Sequence, residues 1–425
     1  MAKTPGINAI DIGSSKITCL ITGLSPDSGK INVIGVATVP SRGVRKGQIV
    51  NIEECVGAIT DCVESAERMA GVGLDSAFVS ISGEQIESQN SHGLVAIREA
   101  DEEISGEDIF RVIEAARAVS LPTSREIIHV LPSEFVVDSQ RGIKDPTGMS
   151  GIRLETEAHL ITGLSPAIKN VSRCVSELGV NVAGLVFTGL ASAESVLSDT
   201  DKELGVILVD IGGGTTSVCI YLEGSCVYSA VIPVGSKKIS DDIAIGLQIS
   251  VDSAEKIKHY VSRSKNERDD DDDQKTSDDI DLLKLGISED VKKVSRKTII
   301  EGIIRPRLNE IFSMVNQVIK KSGYEGQAPA GVVLTGGGAL TVNCTEACRR
   351  VMQLPAKIGT PSGLSGMIEE ISTPTASTAV GLILYGYKRK EEMPSSGFKL
   401  SGMIKGIPGQ KAIGKVVDFI KSFLP

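Results

Sequence analysis

Tryptophan is missing from the 425 residues, aromatic side chains make up 3% of them, and there are only four histidines. So few histidines exclude a histidine-rich metal centre. The eight cysteines (Cys19, Cys55, Cys62, Cys174, Cys219, Cys226, Cys344, Cys348) show neither C-x-x-C pairs nor histidines at zinc spacing. They are expected to be reduced thiols of a cytosolic protein. No apolar run approaches the roughly 18–20 residues that span a bilayer. The opening "MAKTPGINAIDIG" lacks the apolar segment of a secretory signal. A basic excess is missing as well, because 45 Lys and Arg against 54 Asp and Glu leave a formal net charge of −9. The stretch "ERDDDDDQKTSDDID" at 267–281 holds nine acids against two bases, so the rest is nearly neutral and no nucleic-acid partner is expected. That run is not an EF-hand, with Gln274 where the calcium loop needs glycine and Ile280 where it needs a bidentate glutamate. It reads as a solvated, disordered surface loop.

What remains is a globular composition, 41% hydrophobic and 23% charged, at a length that suggests about two to three domains. One theme occurs twice. "NAIDIGSSKITCLIT" reads as strand, tight Gly-Ser turn and strand, followed by "INVIGVATV"; "VILVDIGGGTTSVCIYLEGSCVYSAVIPV" repeats the pattern in the second half. Each copy leads into a helical stretch such as "NIEECVGAITDCVESAERMA". The β-branched segments "DSAFVSISG" and "AGVVLTGGGAL" each end in a Gly-rich turn. This is the pattern of a duplicated α/β architecture around a cleft. Residues 84–163 have no counterpart in the second half. They include "SGEDIFRVIEAARAV", a helix started by Ser105 with Asp108 three residues on, and "REIIHVLPSEFVVD", a strand with a proline interruption. Residues 391–410, rich in Gly, Ser and Pro, read as a flexible linker.

The turns carry the chemistry. Glycines and hydroxyls after a strand offer backbone amides to phosphate oxygens without Cβ obstruction. Asp11 and Asp210, each ending a strand before its turn, can face Mg²⁺ or its waters between the loops. Lys16 can reach a β- or γ-phosphate as a point charge. One such turn alone is an ordinary hairpin with a capping Asp; two copies together with "TGGG" point to a nucleotide. Competing phosphate motifs fail. "GQKAIGKV" at 409–416 falls one residue short of a Walker A, with Val416 where Mg²⁺ needs Ser or Thr, and no GxGxxG occurs. In "VDSAEKIKHYV", Glu255 and Lys258 share one helical face, either as a surface ion pair or gripping a ribose and base edge.

"DIGSSK", "DIGGGTT", "AEKIK" and "TGGGAL" resemble the phosphate and adenosine motifs of the actin/Hsp70/sugar-kinase superfamily. Within it, "SISGEQIESQNSHG", "HVLPSEFVVDSQRGIKDPTGMSG", "LASAESVL" and "RPRLNEIF" make nearly the whole chain similar to the FtsA family of actin-like bacterial cell-division proteins. The resemblance implies an actin-like (ribonuclease H-like) fold of two duplicated lobes. Subdomain 1A would comprise 1–84, 163–197 and 370–390, with an inserted subdomain 1C at 85–162. Subdomain 2A would comprise 198–240 and 323–369, and 2B 241–322 with the acidic loop 265–281. A linker at 391–410 and a C-terminal amphipathic helix at 411–425 complete the expected plan. It gives Asp11, Gly13, Ser14, Ser15 and Lys16 to phosphates and metal, and Asp210, Gly212, Gly213, Gly214, Thr215 and Thr216 to the second phosphate loop. Gly336, Gly337 and Gly338 would pack on adenosine, with Glu255 and Lys258 at ribose and base. The cofactors implied are ATP and Mg²⁺. Where many actin-like ATPases carry an acidic-Pro step, this chain reads Thr188-Gly189, which leaves Glu194 as a candidate to orient water and implies slow or absent turnover.

Implied partners are copies of the chain in a filament, the C-terminal peptide of the tubulin-like protein FtsZ, and later membrane proteins of division, all at the septum on the cytoplasmic side of the membrane. Arg305 and Arg307 could meet acids of the FtsZ peptide or remain solvated helix charges. The last residues, "IGKVVDFIKSFLP", support a membrane role on their own. Ile413, Val416, Val417, Phe419, Ile420, Phe423 and Leu424 fall within an arc of about 160° on a helical wheel. Lys415 and Lys421 border that arc, where ammonium groups reach lipid phosphates. One such tail binds anionic lipid weakly, and a filament presenting many binds by avidity, about 10²–10⁴-fold tighter for a linked pair. The rivals are a helix docked on the body, a sugar or acid kinase, and the actin-like adaptor of type IV pilus assembly, which lacks this tail.

Overall fold

Strand β1 (Ala9–Ile12) is apolar except for Asp11 and buries every residue. Strands β2 (Lys16–Leu24) and β3 (Ile31–Pro40) follow it in antiparallel register. The computed structural model describes residues 6–24, 31–97, 103–263, 278–287, 293–366 and 368–391. A small hairpin, β4 (Val44–Arg45) and β5 (Gln48–Ile49), leads into α1 (Ile52–Ala70), started by the Asn51 side chain and stopped by Gly71 in the left-handed region. Strand β6 (Ser76–Ile81) then lies parallel to β1.

Next comes the inserted unit: β7 (Glu87–Ala96), α2 (Gly106–Arg117), β8 (Arg125–Val137), β9 (Gln140–Ile143) and β10 (Arg153–Leu164), in a sheet of order β7-β10-β8-β9. Ser105 and Asp108 form the reciprocal cap that starts α2. Pro132 does not end its strand: β8 runs through it, opposite Ala158, with a register shift that absorbs the missing N–H. Helix α3 (Ser165–Ser176), strand β11 (Asn181–Phe187) parallel to β6, and helix α4 (Thr188–Val196) complete the first half.

The second half begins with α5 (Asp199–Leu204) and repeats the first: β12 (Val206–Ile211), β13 (Thr216–Leu222), β14 (Ser225–Ile232). Helices α6 (Lys237–Leu247) and α7 (Val251–Ser262) precede a ribbon of β15 (Asp279–Asp281) and β16 (Lys293–Ser295). The acidic run is therefore not all loop. Its last residues pair as β15 because Ile280 between two aspartates has a core to enter, being 5% exposed; residues 264–277 lie outside the described residues. A π-helical turn, Thr298–Ile304, runs into α8 (Arg305–Ser322), where Pro306 lacks the N–H of a regular turn. The chain continues through β17 (Val332–Thr335), a 3₁₀ turn Gly337–Leu340, α9 (Cys344–Met352), β18 (Ala356–Ile358), β19 (Ser365–Gly366), α10 (Ile368–Ile371) and α11 (Ser377–Glu391).

The two main sheets match strand for strand. β3-β2-β1-β6-β11 corresponds to β14-β13-β12-β17-β18, and β19 extends the first at its edge. Both Asp-bearing strands are central. Helices α4 and α11 lie between the sheets: their Ala191, Leu382 and Ile383 share one core with Ile10 and Val79 of the first sheet and Leu208 and Val333 of the second. They cross so closely that a Cβ on Gly381 would stand 1.7 Å from the Ala191 carbonyl. A likeness between the halves thus becomes two α/β lobes packed on a shared helix pair. Among the described residues no helix is long and apolar enough to cross a membrane. Residues 392–425, which carry the expected linker and amphipathic helix, lie outside the described residues.

Candidate functional site

The ends of β1 and β12 open on a cleft of about 760 Å³ between the lobes. Asp11 and Asp210 line it, with Gly13, Ser14, Ser15 and Lys16 on one wall and Gly212, Gly213 and Thr215 on the other. Each turn is closed by its own backbone: the Gly13 N–H donates to the Lys16 carbonyl (3.0 Å) and the Gly212 N–H to the Thr215 carbonyl (2.8 Å). The tips nearly touch, since a Cβ on Gly213 would stand 2.7 Å from the Ser15 Cβ and one on Gly214 2.7 Å from the Ser14 Oγ. The third glycine turn closes the end of the cleft. Gly336 has φ +80°, and a Cβ there would stand 2.3 Å from Asp210 Oδ1. Only glycine permits that approach.

Burial pushes both carboxyls upward. It raises Asp11, against the Ser80 hydroxyl and the Lys16 charge, and it raises Asp210 to about 6, with Asp11 adding to the effect. Burial also lowers the Lys16 ammonium, which Asp11 partly restores. Two desolvated carboxylates facing one cleft suit a divalent cation. Two are too few for an all-protein cage and suit Mg²⁺, which keeps waters and takes phosphate oxygens. The donor set and the glycine cradle fit a magnesium–nucleotide.

At the far wall Glu255 and Lys258 both line the cleft, and they also pair with each other at 2.8 Å. Ser240 hydrogen-bonds both. Burial would raise Glu255, but His259, Lys258 and Ser240 outweigh it and hold the carboxyl down at about 2. The ion pair is thus formed, and both of its members line the cleft.

The profile of a family described as "Cell division protein FtsA" matches residues 207–381, and that of "SHS2 domain inserted in FTSA" matches residues 83–162. Cell division protein FtsA of Pseudomonas aeruginosa is 38% identical over 91% of this chain and 90% of its own length. The Escherichia coli K12 protein of that name is 34% identical over 89% of each, and that of Bacillus subtilis 34% over 92% and 86%. The chain belongs to the FtsA family. Solved structures place the fold among actin-like proteins. The chain titled "PilM-PilN type IV pilus biogenesis complex" superposes with a TM-score of 0.62 at 14% identity, covering 89% of this chain and 98% of its own. MreB5 of Spiroplasma citri bound to AMPPNP gives 0.53 at 14% identity, covering 92% and 98%. At such identities the likeness speaks for the fold alone.

Several residues expected at the site of this FtsA-family chain stand elsewhere. Glu194 does not line the cleft; α4 turns it toward Lys202 (2.8 Å) and Lys388, which hold its carboxyl below the usual range against the effect of burial. It has no position from which to orient water there. Gly337 lines the cleft whereas Gly338 packs on Ile211, and Thr216 spends its hydroxyl on the Val234 carbonyl (2.8 Å). Gly214 serves the contact with Ser14. Arg305 and Arg307 are both engaged in ion pairs, Arg305 with an exposed side chain and Arg307 half-buried. Arg307 grips Asp242 through two bonds (2.5 and 2.8 Å) and also pairs with Glu310, and Arg305 pairs with Glu301.

The residues that sequence reasoning missed are hydroxyls. Ser80 donates to Asp11 Oδ1 (2.8 Å) while accepting from the Ile12 N–H (2.8 Å). Ser192 donates to Asp210 Oδ2 (2.5 Å), and Thr378 approaches the same oxygen. Thr188 lines the cleft with its hydroxyl 3.0 Å from that of Ser217. Ser80 lies in "SISG" and Ser192 in "LASAES", segments that carried the family resemblance; nothing in their spacing tied either to a carboxylate.

Proposed function

We propose that this FtsA-family chain binds ATP with Mg²⁺ between its lobes and polymerises with copies of itself on the cytoplasmic face of the cell membrane. There it tethers FtsZ filaments through a C-terminal amphipathic segment, at the division site, and recruits later division proteins. Membership of a cell-division family in an actin-like fold supports this reading. The observation that carries the nucleotide part is the pair of buried, mutually repelling carboxylates, Asp11 and Asp210, at the tips of two facing hydroxyl- and glycine-rich turns.

In this reading Ser80 and Ser192 fix the two carboxylates, the turn tips supply amides, and Lys16 supplies a partly desolvated ammonium. Bound Mg²⁺ supplies positive charge that neutralises both the carboxylates and the phosphate oxygens. Thr188, at the position of the acidic-Pro step of many actin-like ATPases, is no strong base, so turnover is expected to be slow and nucleotide state to act on lobe closure and filament contacts. The anchor rests on the sequence pattern: seven apolar side chains on one helical face with Lys415 and Lys421 at its borders. For the FtsZ peptide, Arg305 remains the better candidate, because Arg307 would first have to leave Asp242.

Co-sedimentation with anionic phospholipid vesicles tests the tether, comparing the full chain with one ending at Gln410, with ATP, with ADP and without nucleotide. Binding that disappears on truncation and strengthens with ATP is expected. Equal pelleting of both chains would refute the anchor.

A further inference from the structure

Lys237 stands where a lysine is electrostatically misplaced. It is the first residue of α6, at the positive end of the helix dipole, and the first turn of α6 contains no acid. Its neighbour Lys238 answers that problem with Asp241 at 2.9 Å. Lys237 does not. Its ammonium reaches the other lobe and donates to the backbone carbonyl of Ser14, a residue of the first phosphate turn that lines the cleft, at 2.7 Å. Meanwhile its own N–H and that of Ser236 donate to the carbonyls of Gly213 and Gly212 (2.9 Å each), which staples the start of α6 to the second phosphate turn. That approach needs Gly235, where a Cβ would stand 2.5 Å from the Gly212 carbonyl oxygen. One residue thus joins the two turns across the lobes, its ammonium bonded to a neutral carbonyl.

We infer that Lys237 is a contact for the terminal phosphate of a nucleoside triphosphate, exchanging its bond to Ser14 for that phosphate and so distinguishing triphosphate from diphosphate. The inference rests on the nucleotide reading of the cleft. A phosphate oxygen carries a formal negative charge, so it attracts an ammonium more strongly than the neutral Ser14 carbonyl does. The terminal phosphate is the group that both turns would hold jointly. A diphosphate leaves the ammonium on Ser14, and the lobes remain tied by the protein's own bond.

The test measures binding of AMPPNP and of ADP, each with Mg²⁺, to the full chain by calorimetry. The variants are Lys237→Ala, Lys237→Gln as a second neutral replacement, Lys237→Arg, and Lys238→Ala as a control. The neutral variants are expected to weaken AMPPNP about tenfold or more while leaving ADP within about twofold. Arginine is expected to restore most of the loss, and the Lys238 variant to behave as the parent. Equal weakening of both nucleotides, or no change in either, overturns the inference while leaving the nucleotide site intact. Failure of the parent chain to bind either nucleotide overturns the nucleotide reading itself, and the inference with it.

Discussion

The two phosphate turns share a strand pattern and a buried aspartate, yet they are held differently. Asp11 is fixed within its own lobe, by Ser80 of the neighbouring strand β6, and has Lys16 close by. Asp210 is held instead at its Oδ2 by Ser192 of α4 and Thr378 of α11, the helices between the lobes. The first carboxylate is therefore held by its own sheet, and the second by the helix pair on which both sheets pack. Two similar frames thus differ in the few hydroxyls that hold their aspartates.

The largest break in this comparison should come from Gly336→Val, which puts a side chain against Asp210 in a backbone region valine avoids. ATP affinity by calorimetry should fall by roughly 100-fold. Gly13→Val, which meets only the Lys16 carbonyl at 2.8 Å without a positive φ, should cost less; equal losses would mean that the turns are equivalent. Next, Ser192→Ala should raise the Asp210 carboxyl further above about 6 and weaken Mg²⁺–ATP about tenfold near pH 6, with a smaller loss at pH 8. Ser80→Ala should show a loss less dependent on pH and a greater fall in melting temperature, because it also orphans the Ile12 N–H.

A smaller effect concerns stability without nucleotide. Since burial raises the Asp210 carboxyl from its ordinary 3.8 to about 6 in the fold, its stabilising contribution is complete below about 3.8 and lost as pH rises through about 6. Asp210→Asn should therefore raise the melting temperature at pH 7.5 by roughly 2–4 °C and by less at pH 5. Asp11→Asn should gain less, since it leaves Lys16 without its countercharge. The smallest effect is at the insert. Its His159 is held between Asn90 (2.6 Å) and Ser229 of the second lobe (2.9 Å), with burial lowering its ring to about 4. That contribution is present above pH 6.5 and lost as pH falls toward 4, so His159→Gln should flatten the acid side of the melting curve.

Most of the lobes was legible in the sequence because the Asp-ended strands, glycine turns and 3.6-period helices are local patterns. The cleft carboxylates and Lys16 were legible for the same reason. Ser80, Ser192 and Lys237 were not: each acts on a residue from 18 to 223 positions away, through a contact that only the packed fold creates. Glu194 and Arg307 misled because a charge on a helix says nothing of its partner; Lys202, Lys388 and Asp242 had claimed them through tertiary packing. The strand inside the acidic run was hidden by composition, since one buried isoleucine outweighs its charged neighbours only when a core stands beside it.

The most direct measurement is the ATP affinity of the full chain with Mg²⁺ and with Mg²⁺ chelated, beside Asp11→Ala, Asp210→Ala and the double variant. Metal removal is expected to weaken the parent about tenfold or more, each single variant to lose most of the metal dependence, and the double variant to bind ATP equally poorly with and without metal. Binding by the parent that is indifferent to Mg²⁺, or a double variant that binds as the parent does, would contradict a magnesium–nucleotide site between the two aspartates.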